Sequence, residues 1–408
     1  METNLVLAIG TIIVIGFVGG MLTEKIKFPR ITGYLIIGIV MSPSLLNIIS
    51  AETIESLDII TNIALGVIAF LIGGSLHLDP LRRLGKSISW ITPFQSVGAW
   101  IIVTILLAFL APLILGNSGT TLTQIYFPLA IIIGAISSAT APAATMAIIH
   151  EYKASGPFTT TLLAIVALDD AIAVVAFALA ITVGKMMMDG TGSMSLYEIL
   201  VLPVFHIMEA ITIGVFSGFM LIYIARMVKS SNLKLIIVFG MIMLCSGTAE
   251  VLGVSSILAN MASGFIVINI SQKQELFFVV ERIEDILYAM FFVLAGLHFD
   301  LGIIKIAGVL AVLIVVSRYA GKYFGTMVGA TIAHASSEVR KYLGFALLPQ
   351  AGVALGLSLI AKQTFPAFGD IVVNAILASV IINEIITPSL TKYAILKSGE
   401  ANPGEIET

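Results

Sequence analysis

The sequence is poor in charge, in cysteine and in histidine, and each shortage removes a class of protein. Only 11% of its 408 residues are Asp, Glu, Lys or Arg, against 58% hydrophobic. A soluble domain carries about 25% charged residues, so an ordinary water-soluble enzyme is excluded. Cys245 is the one cysteine, which rules out an internal disulfide and a cysteine-based metal cluster. The five histidines are scattered without metal-site spacing. A formal charge of −3 provides no basic surface for nucleic acid. What remains is a polytopic all-α membrane protein.

Long apolar runs are what the chain has in quantity. A bilayer core about 30 Å thick is crossed by roughly 20 apolar residues. That ruler divides the chain into thirteen spans: 5–22, 29–47, 57–76, 88–115, 125–150, 157–184, 199–225, 233–252, 255–271, 284–299, 303–333, 341–361 and 367–395. The first lacks a charged leader and a small-residue cleavage pattern, so it reads as a retained helix. Cytoplasmic loops retain Lys and Arg, and this orients the chain. Sixteen of the 21 basic residues fall in one alternate set of loops and the C-terminal stretch, from Lys25, Lys27 and Arg30 to Lys392 and Lys397. Only Lys185, Lys305 and Lys362 fall in the other set. The expectation is a multi-pass protein of the cell (inner or plasma) membrane, N-terminus outside and C-terminus in the cytoplasm.

The two remaining bases, Arg318 and Lys322, lie inside the eleventh span. An Arg near a helix centre costs about 2.5–3.5 kcal/mol, so it calls for a partner or a wet cavity. Span midpoints fall near Ser138, Asp170, Arg318 and Ala351, where the apolar pattern breaks. The fifth span reads Ser137-Ser138-Ala139-Thr140-Ala141-Pro142, and the twelfth reads Leu348-Pro349-Gln350-Ala351-Gly352. A proline beside small and hydroxyl residues frees backbone carbonyls and lets a helix unwind. One such break in each half points to inverted repeats whose discontinuous helices cross at a midplane site.

Asp169 and Asp170 are adjacent on the sixth span, about 100° apart around the helix, so the two carboxylates need not share a role. One turn away lie Ile165, Val166, Ile172, Ala173 and Val174, none with a hydrogen-bonding side chain. A carboxylate there is costly to hold charged without a counter-charge, which suits a group that exchanges a proton for a hard cation. The expected assignment pairs Asp169 with Arg318. Asp170 then takes Na+ or H+ alternately, helped by oxygens from the unwound Ser138 and Thr140 region, with Na+ held at Asp170, Asp169 and Thr140. Arg318 keeps its proton and so balances charge without carrying a proton itself.

Lys322 reads as a snorkelling or mouth residue one turn nearer the cytoplasm. Glu384, Gln350 and Glu250 are accessory candidates, Glu384 as a partner of Lys322 or Arg318 and Glu250 in an outer funnel. Glu209 and His206 are read chiefly as interfacial or packing residues. No cofactor is expected beyond the transported Na+ or K+ and H+. An intramembrane aspartyl protease needs its two acids on facing helices, so a transporter rather than an enzyme is expected.

The ordered segments Gly33-Tyr34-Leu35-Ile36-Ile37-Gly38, Ala167-Leu168-Asp169-Asp170, Ala249 to Ser255, Phe291 to Leu297 and Leu347 to Ala354 carry a resemblance. The chain resembles the cation/proton antiporter superfamily with the sodium/proton exchanger fold, nearest its bacterial and archaeal two-aspartate, Kef-like branch. That resemblance implies a homodimer. It implies dimer or scaffold helices in 1–87 and 233–302, core helices in 88–190 and 303–396, a linker helix in 191–232 and a cytoplasmic tail in 397–408. It also implies Asp170 as the ion ligand, with Asp169 paired to the base at Arg318. Thr140-Ala141-Pro142 together with Asp169-Asp170 departs from the Thr-Asp-Pro and Asn-Asp pattern of other exchangers and favours the two-aspartate branch. Arg318 departs from the lysine common there, which bears on stoichiometry. The stretch after Leu396 is expected to be too short for the nucleotide-binding domain of Kef-type proteins. Na+/H+ antiport by alternating access leads. K+/H+ antiport, a cation channel and a sodium-coupled solute symporter are the alternatives.

Overall fold

The computed structural model describes residues 4–25, 30–76, 85–115, 125–141, 145–146, 148–149, 152–188, 196–228, 230–271 and 274–401. Among them the secondary structure is helical throughout. In chain order the α-helices are α1 (Leu5–Lys25), α2 (Arg30–Met41), α3 (Ala51–Ser56), α4 (Asp58–Ser75), α5 (Lys86–Leu115), α6 (Phe127–Ile136), α7 (Pro157–Met188) and α8 (Leu196–Arg226). They continue with α9 (Ser231–Val251), α10 (Ser256–Ile266), α11 (Glu275–Leu297), α12 (Ile304–Ile332), α13 (Ser337–Ala346), α14 (Gly352–Thr364) and α15 (Gly369–Ser398).

Eight segments among the described residues are long and apolar enough to cross a bilayer, in α1, α4, α5, α7, α8, α9, α12 and α15. The difference from thirteen has physical causes. The expected fifth and twelfth spans are interrupted, so their halves α6, α13 and α14 are each too short. Helix α11 has 23 residues but carries Glu275, Glu281, Arg282, Glu284 and Asp285 in its first half. Helices α2, α6 and α10 are short and apolar.

The chain forms two compact units, one of Met1–Leu81 with Met194–Gly302 and one of Arg82–Ser193 with Ile303–Thr408. In the first, α4 packs on α10, α10 on α8, and α2 on α11. Two polar ties, each with one buried and one more exposed partner, hold helix ends within it: Lys234 Nζ lies 2.7 Å from Glu275, and His298 Nε2 lies 3.4 Å from Asp58.

The second unit is built on the pairing of α5 with α12. Glycine makes that pairing close. A Cβ on Gly325 would meet Gln95 Cα at 2.7 Å, and one on Gly321 would meet Ala99 Cα at 2.5 Å. Glycines four residues apart present a bare stripe on one helix face, the usual means by which membrane helices approach backbone to backbone. The consequence is local: Gln95 and Ser96 of α5 are brought onto the same side as Lys322 of α12. Helix α7 packs against α5 and α6, and α15 against α12, α13 and α14.

Candidate functional site

Both interrupted helices break where the sequence loses its apolar pattern. Helix α6 stops at Ile136, and the hydroxyls of Ser137 and Ser138 turn back to donate to Ile133 O at 2.7 Å and Ala135 O at 2.6 Å. Residues 137–141 then run non-helically, and Pro142 lies outside the described residues. The second break separates α13, ending at Ala346, from α14, beginning at Gly352. The two breaks cross in contact: Ala141 N–H donates to Pro349 O at 2.9 Å, and Thr140 Oγ1 lies 3.2 Å from Leu347 O.

Unwound backbone buried at this depth must find donors for its carbonyls, because lipid supplies none. Arg318 of α12 is the main donor. Its Nε reaches Ser137 O at 2.8 Å, Nη1 reaches Leu348 O at 2.5 Å, and Nη2 reaches Ala139 O at 2.7 Å and Pro349 O at 3.3 Å. Arg318 thus staples both breaks at once with a fully buried side chain. It also sits at the C-terminal ends of α6 and α13, each equivalent to about half a negative charge.

The expected partnership of Asp169 with Arg318 is corrected by this geometry. Asp169, fully buried on α7, is held by Lys322 instead, with Nζ 2.5 Å from Oδ2 and neither side chain exposed. Thr140 Oγ1 donates to the same oxygen, while Oδ1 accepts from Ser96 Oγ and from Gln95 Nε2 at 2.5 Å. Lys322 completes its three donor positions on Ser138 O at 2.5 Å and Thr140 Oγ1 at 2.7 Å. It is therefore no snorkelling residue. Its ammonium lies among Ser138 O, Thr140 Oγ1 and Asp169 Oδ2, so it takes up two of the residues, Asp169 and Thr140, that the expectation had given to Na+ together with Asp170. The reason is a matter of one helical turn: Arg318 meets the crossing, and Lys322, four residues on, meets the carboxylate.

Asp170 is in a different state. It is 94% buried, yet its Oδ1 has no hydrogen-bond partner among the described residues. The backbone N–H of Thr140 donates to its carboxyl. Two bases and two acids meet in this cluster: Lys322 pairs directly with Asp169, Arg318 directs its donors to four backbone carbonyls, and Asp170 makes no ion pair with either base among the described residues.

The structure thus brings Asp169, Asp170, Thr140, Ser138, Arg318 and Lys322 into one cluster. Gln350 is fully buried and joins at its edge, donating to Ile136 O at 3.2 Å and accepting from Asn383 at 3.1 Å, with Tyr319 OH on Asn383 at 3.0 Å. Glu384 is buried beside Asn383 on α15. Glu250 is exposed at the end of α9, in the other unit. No group of three or more His, Cys, Asp or Glu side chains suited to a metal occurs among the described residues. Sequence reasoning missed Gln95 and Ser96, although a Thr92, Gln95, Ser96 run inside the apolar fourth span was a visible signal.

Comparison with known proteins adds to this. Residues 11–395 match the family model described as sodium/hydrogen exchanger, transmembrane. The chain is 26% identical to the Na(+)/H(+)-K(+) antiporter GerN of Bacillus cereus, over 96% of this chain and 97% of that one. It is 27% identical to the Na(+)/H(+) antiporter NhaS4 of Synechocystis, over 95% and 98%. It is 23% identical to the K(+)/H(+) antiporter subunit KhtU of Bacillus subtilis, over 88% of each. Its fold is similar to that of the sodium proton antiporter MjNhaP1 from Methanocaldococcus jannaschii, with a TM-score of 0.77, 17% identity and coverage of 96% and 98%.

Proposed function

The chain belongs to the sodium/hydrogen exchanger family, and from that premise we propose that it is a secondary active antiporter exchanging a monovalent cation, Na+ first, for protons. The observation that carries this reading is the charge balance at the crossing. Asp169 is neutralised by Lys322 and accepts four hydrogen bonds, whereas buried Asp170 has an oxygen without a hydrogen-bond partner among the described residues. One carboxylate without a direct ion-pair partner in a low-dielectric site accepts one monovalent positive charge at a time. A proton and a metal ion then compete for Asp170, and this competition is the coupling. Asp169, Thr140 and Ser138 act in this reading through Lys322, which they hold; Arg318 balances charge at the two breaks.

The ion-binding cluster lies wholly in the unit of Arg82–Ser193 and Ile303–Thr408, so that unit is the proposed carrier of the site in alternating access. The unit of Met1–Leu81 and Met194–Gly302 is the proposed dimer scaffold. A homodimer in the cell membrane, N-terminus outside and C-terminus cytoplasmic, completes the reading, supported by the loop bias in Lys and Arg. K+ is the second candidate substrate, since the names of GerN and KhtU include it.

The test is purified protein in proteoliposomes carrying a preset pH gradient and an internal pH dye. Adding NaCl or KCl is expected to move protons against their gradient. A channel would only let the gradient collapse, and a symporter would require an organic solute; either result overturns the antiport reading.

A further inference from the structure

The N-terminal end of α7, the helix that carries both aspartates, is tied to the chain's last described residues. Glu400 Oε1 accepts from Phe158 N–H at 2.7 Å, and Oε2 accepts from Thr159 N–H at 2.8 Å. The Glu400 carbonyl accepts from Ser155 N–H at 3.2 Å. Phe158 and Thr159 N–H are first-turn donors with no partner inside their own helix, and a carboxylate there also meets the positive end of the helix dipole. The cap is unusual in coming from 241 residues away in sequence rather than from the preceding loop.

Local sequence on both sides suits this contact. Gly399, at φ +75°, closes α15 with its N–H on Leu396 O at 3.3 Å and turns the chain back. Gly156, at φ +153°, stands where a Cβ would meet Glu400 Cγ at 2.8 Å. Both positions lie in the backbone region that glycine enters without steric cost. A second tie runs in parallel, with Lys392 Nζ of α15 lying 5.1 Å over the Tyr152 ring.

We infer that Ser398–Ala401 is a strap holding the first turn of α7, with Glu400 as a positioning residue for Asp169 and Asp170. Asp169 is about three turns, roughly 17 Å, from the strapped end, and its four hydrogen bonds tolerate little axial play. A long helix moves along its axis nearly as a rod, so fixing one end fixes the height of the carboxylates against Lys322, Thr140 and Gln95. Release of the strap lets α7 slide, and cation binding at Asp170 weakens. The same contact gives any partner that captures the chain's C-terminal stretch a handle on transport.

The transport arm of the test rests on the antiport reading; the other arm does not. Full-length wild type, Glu400→Ala and Glu400→Gln are compared by amide hydrogen exchange over residues 157–161 and by Na+-dependent proton flux in proteoliposomes. In Glu400→Ala, exchange at Phe158 and Thr159 is expected to rise about fivefold or more, the usual scale for losing an N-terminal cap. The apparent KM for Na+ is expected to rise several-fold while the melting temperature of the protein hardly moves, and Glu400→Gln, with one acceptor left, should fall between. Unchanged amide protection in Glu400→Ala overturns the strap. Faster amide exchange with unchanged KM and maximal rate overturns the positioning role. Absence of both Na+-driven and K+-driven proton flux in wild type overturns the antiport reading instead and leaves the amide result to stand by itself.

Discussion

Lys322 Nζ lies 2.5 Å from Asp169 Oδ2, and both side chains are wholly buried. Arg318, four residues earlier on the same helix, directs its donors to four backbone carbonyls. Two bases one turn apart on α12 therefore do two jobs, one neutralising a carboxylate and the other closing two broken helices. This division leaves Asp170 as the acid without a direct ion pair among the described residues, and the functional predictions descend from it.

Replacing Asp170 by Asn removes the negative charge without disturbing Asp169 or Lys322. Na+-driven proton movement in proteoliposomes should fall to background, with yield and melting temperature close to wild type. Wild-type-like exchange in this variant would remove Asp170 from the site.

Competition for one carboxylate has a definite pH sign. Protons displace the cation as pH falls, so the apparent KM for Na+ should rise toward acid pH, and excess Na+ should restore the rate wherever only Asp170 titrates. Flux measured against Na+ at a series of pH values checks this. A KM independent of pH with a falling maximal rate would point to separate proton and cation sites.

Breaking the buried pair from one side is expected to be costly. Lys322→Ala leaves Asp169 buried and charged, a change worth about 3–5 kcal/mol in comparable pairs. Asp169→Asn in the same chain removes that stranded charge, so the double variant should melt higher than Lys322→Ala alone. Additive losses in a double-mutant cycle of thermal melts would mean that the two residues do not interact.

Arg318→Lys keeps the charge but not the planar fork that spans Ser137, Ala139, Leu348 and Pro349. A lysine has three donors from one point, so at least one buried carbonyl loses its charged partner at a cost of about 1–3 kcal/mol. The expected result is a lowered melting temperature with some transport retained; Arg318→Ala should lose both. Equal stability of Arg318→Lys and wild type would mean that the staple is unimportant.

The glycine contact predicts an effect at a distance. Gly325→Ala sets a Cβ 2.7 Å from Gln95 Cα, so α5 must move away and carry Gln95 and Ser96 off Asp169. Transport should fall more than stability does. Gly308 on the same helix, with nothing within 4 Å of an added Cβ, is the control, and Gly308→Ala should behave as wild type. An equal response at both positions would refute the close-approach argument.

Much of this was legible in the chain itself. Charge scarcity and apolar run lengths determine a helical membrane protein, because a bilayer admits buried backbone only with its hydrogen bonds made internally. Pro142 with the hydroxyl residues around Ser138, and Pro349 with Gly352 beside Ala351, mark where two helices open, and depth counting puts Asp169, Asp170 and Arg318 near one level, with Lys322 one turn nearer the cytoplasm. Depth counting cannot resolve one helical turn, however, and one turn separates Arg318 from Lys322. Which base meets Asp169 is decided by the approach of α5 to α12 through Gly321 and Gly325, and by the crossing of breaks 207 residues apart, where Thr140 meets Leu347 O. Those are contacts between distant segments, set by packing, and no local pattern of residue types encodes them.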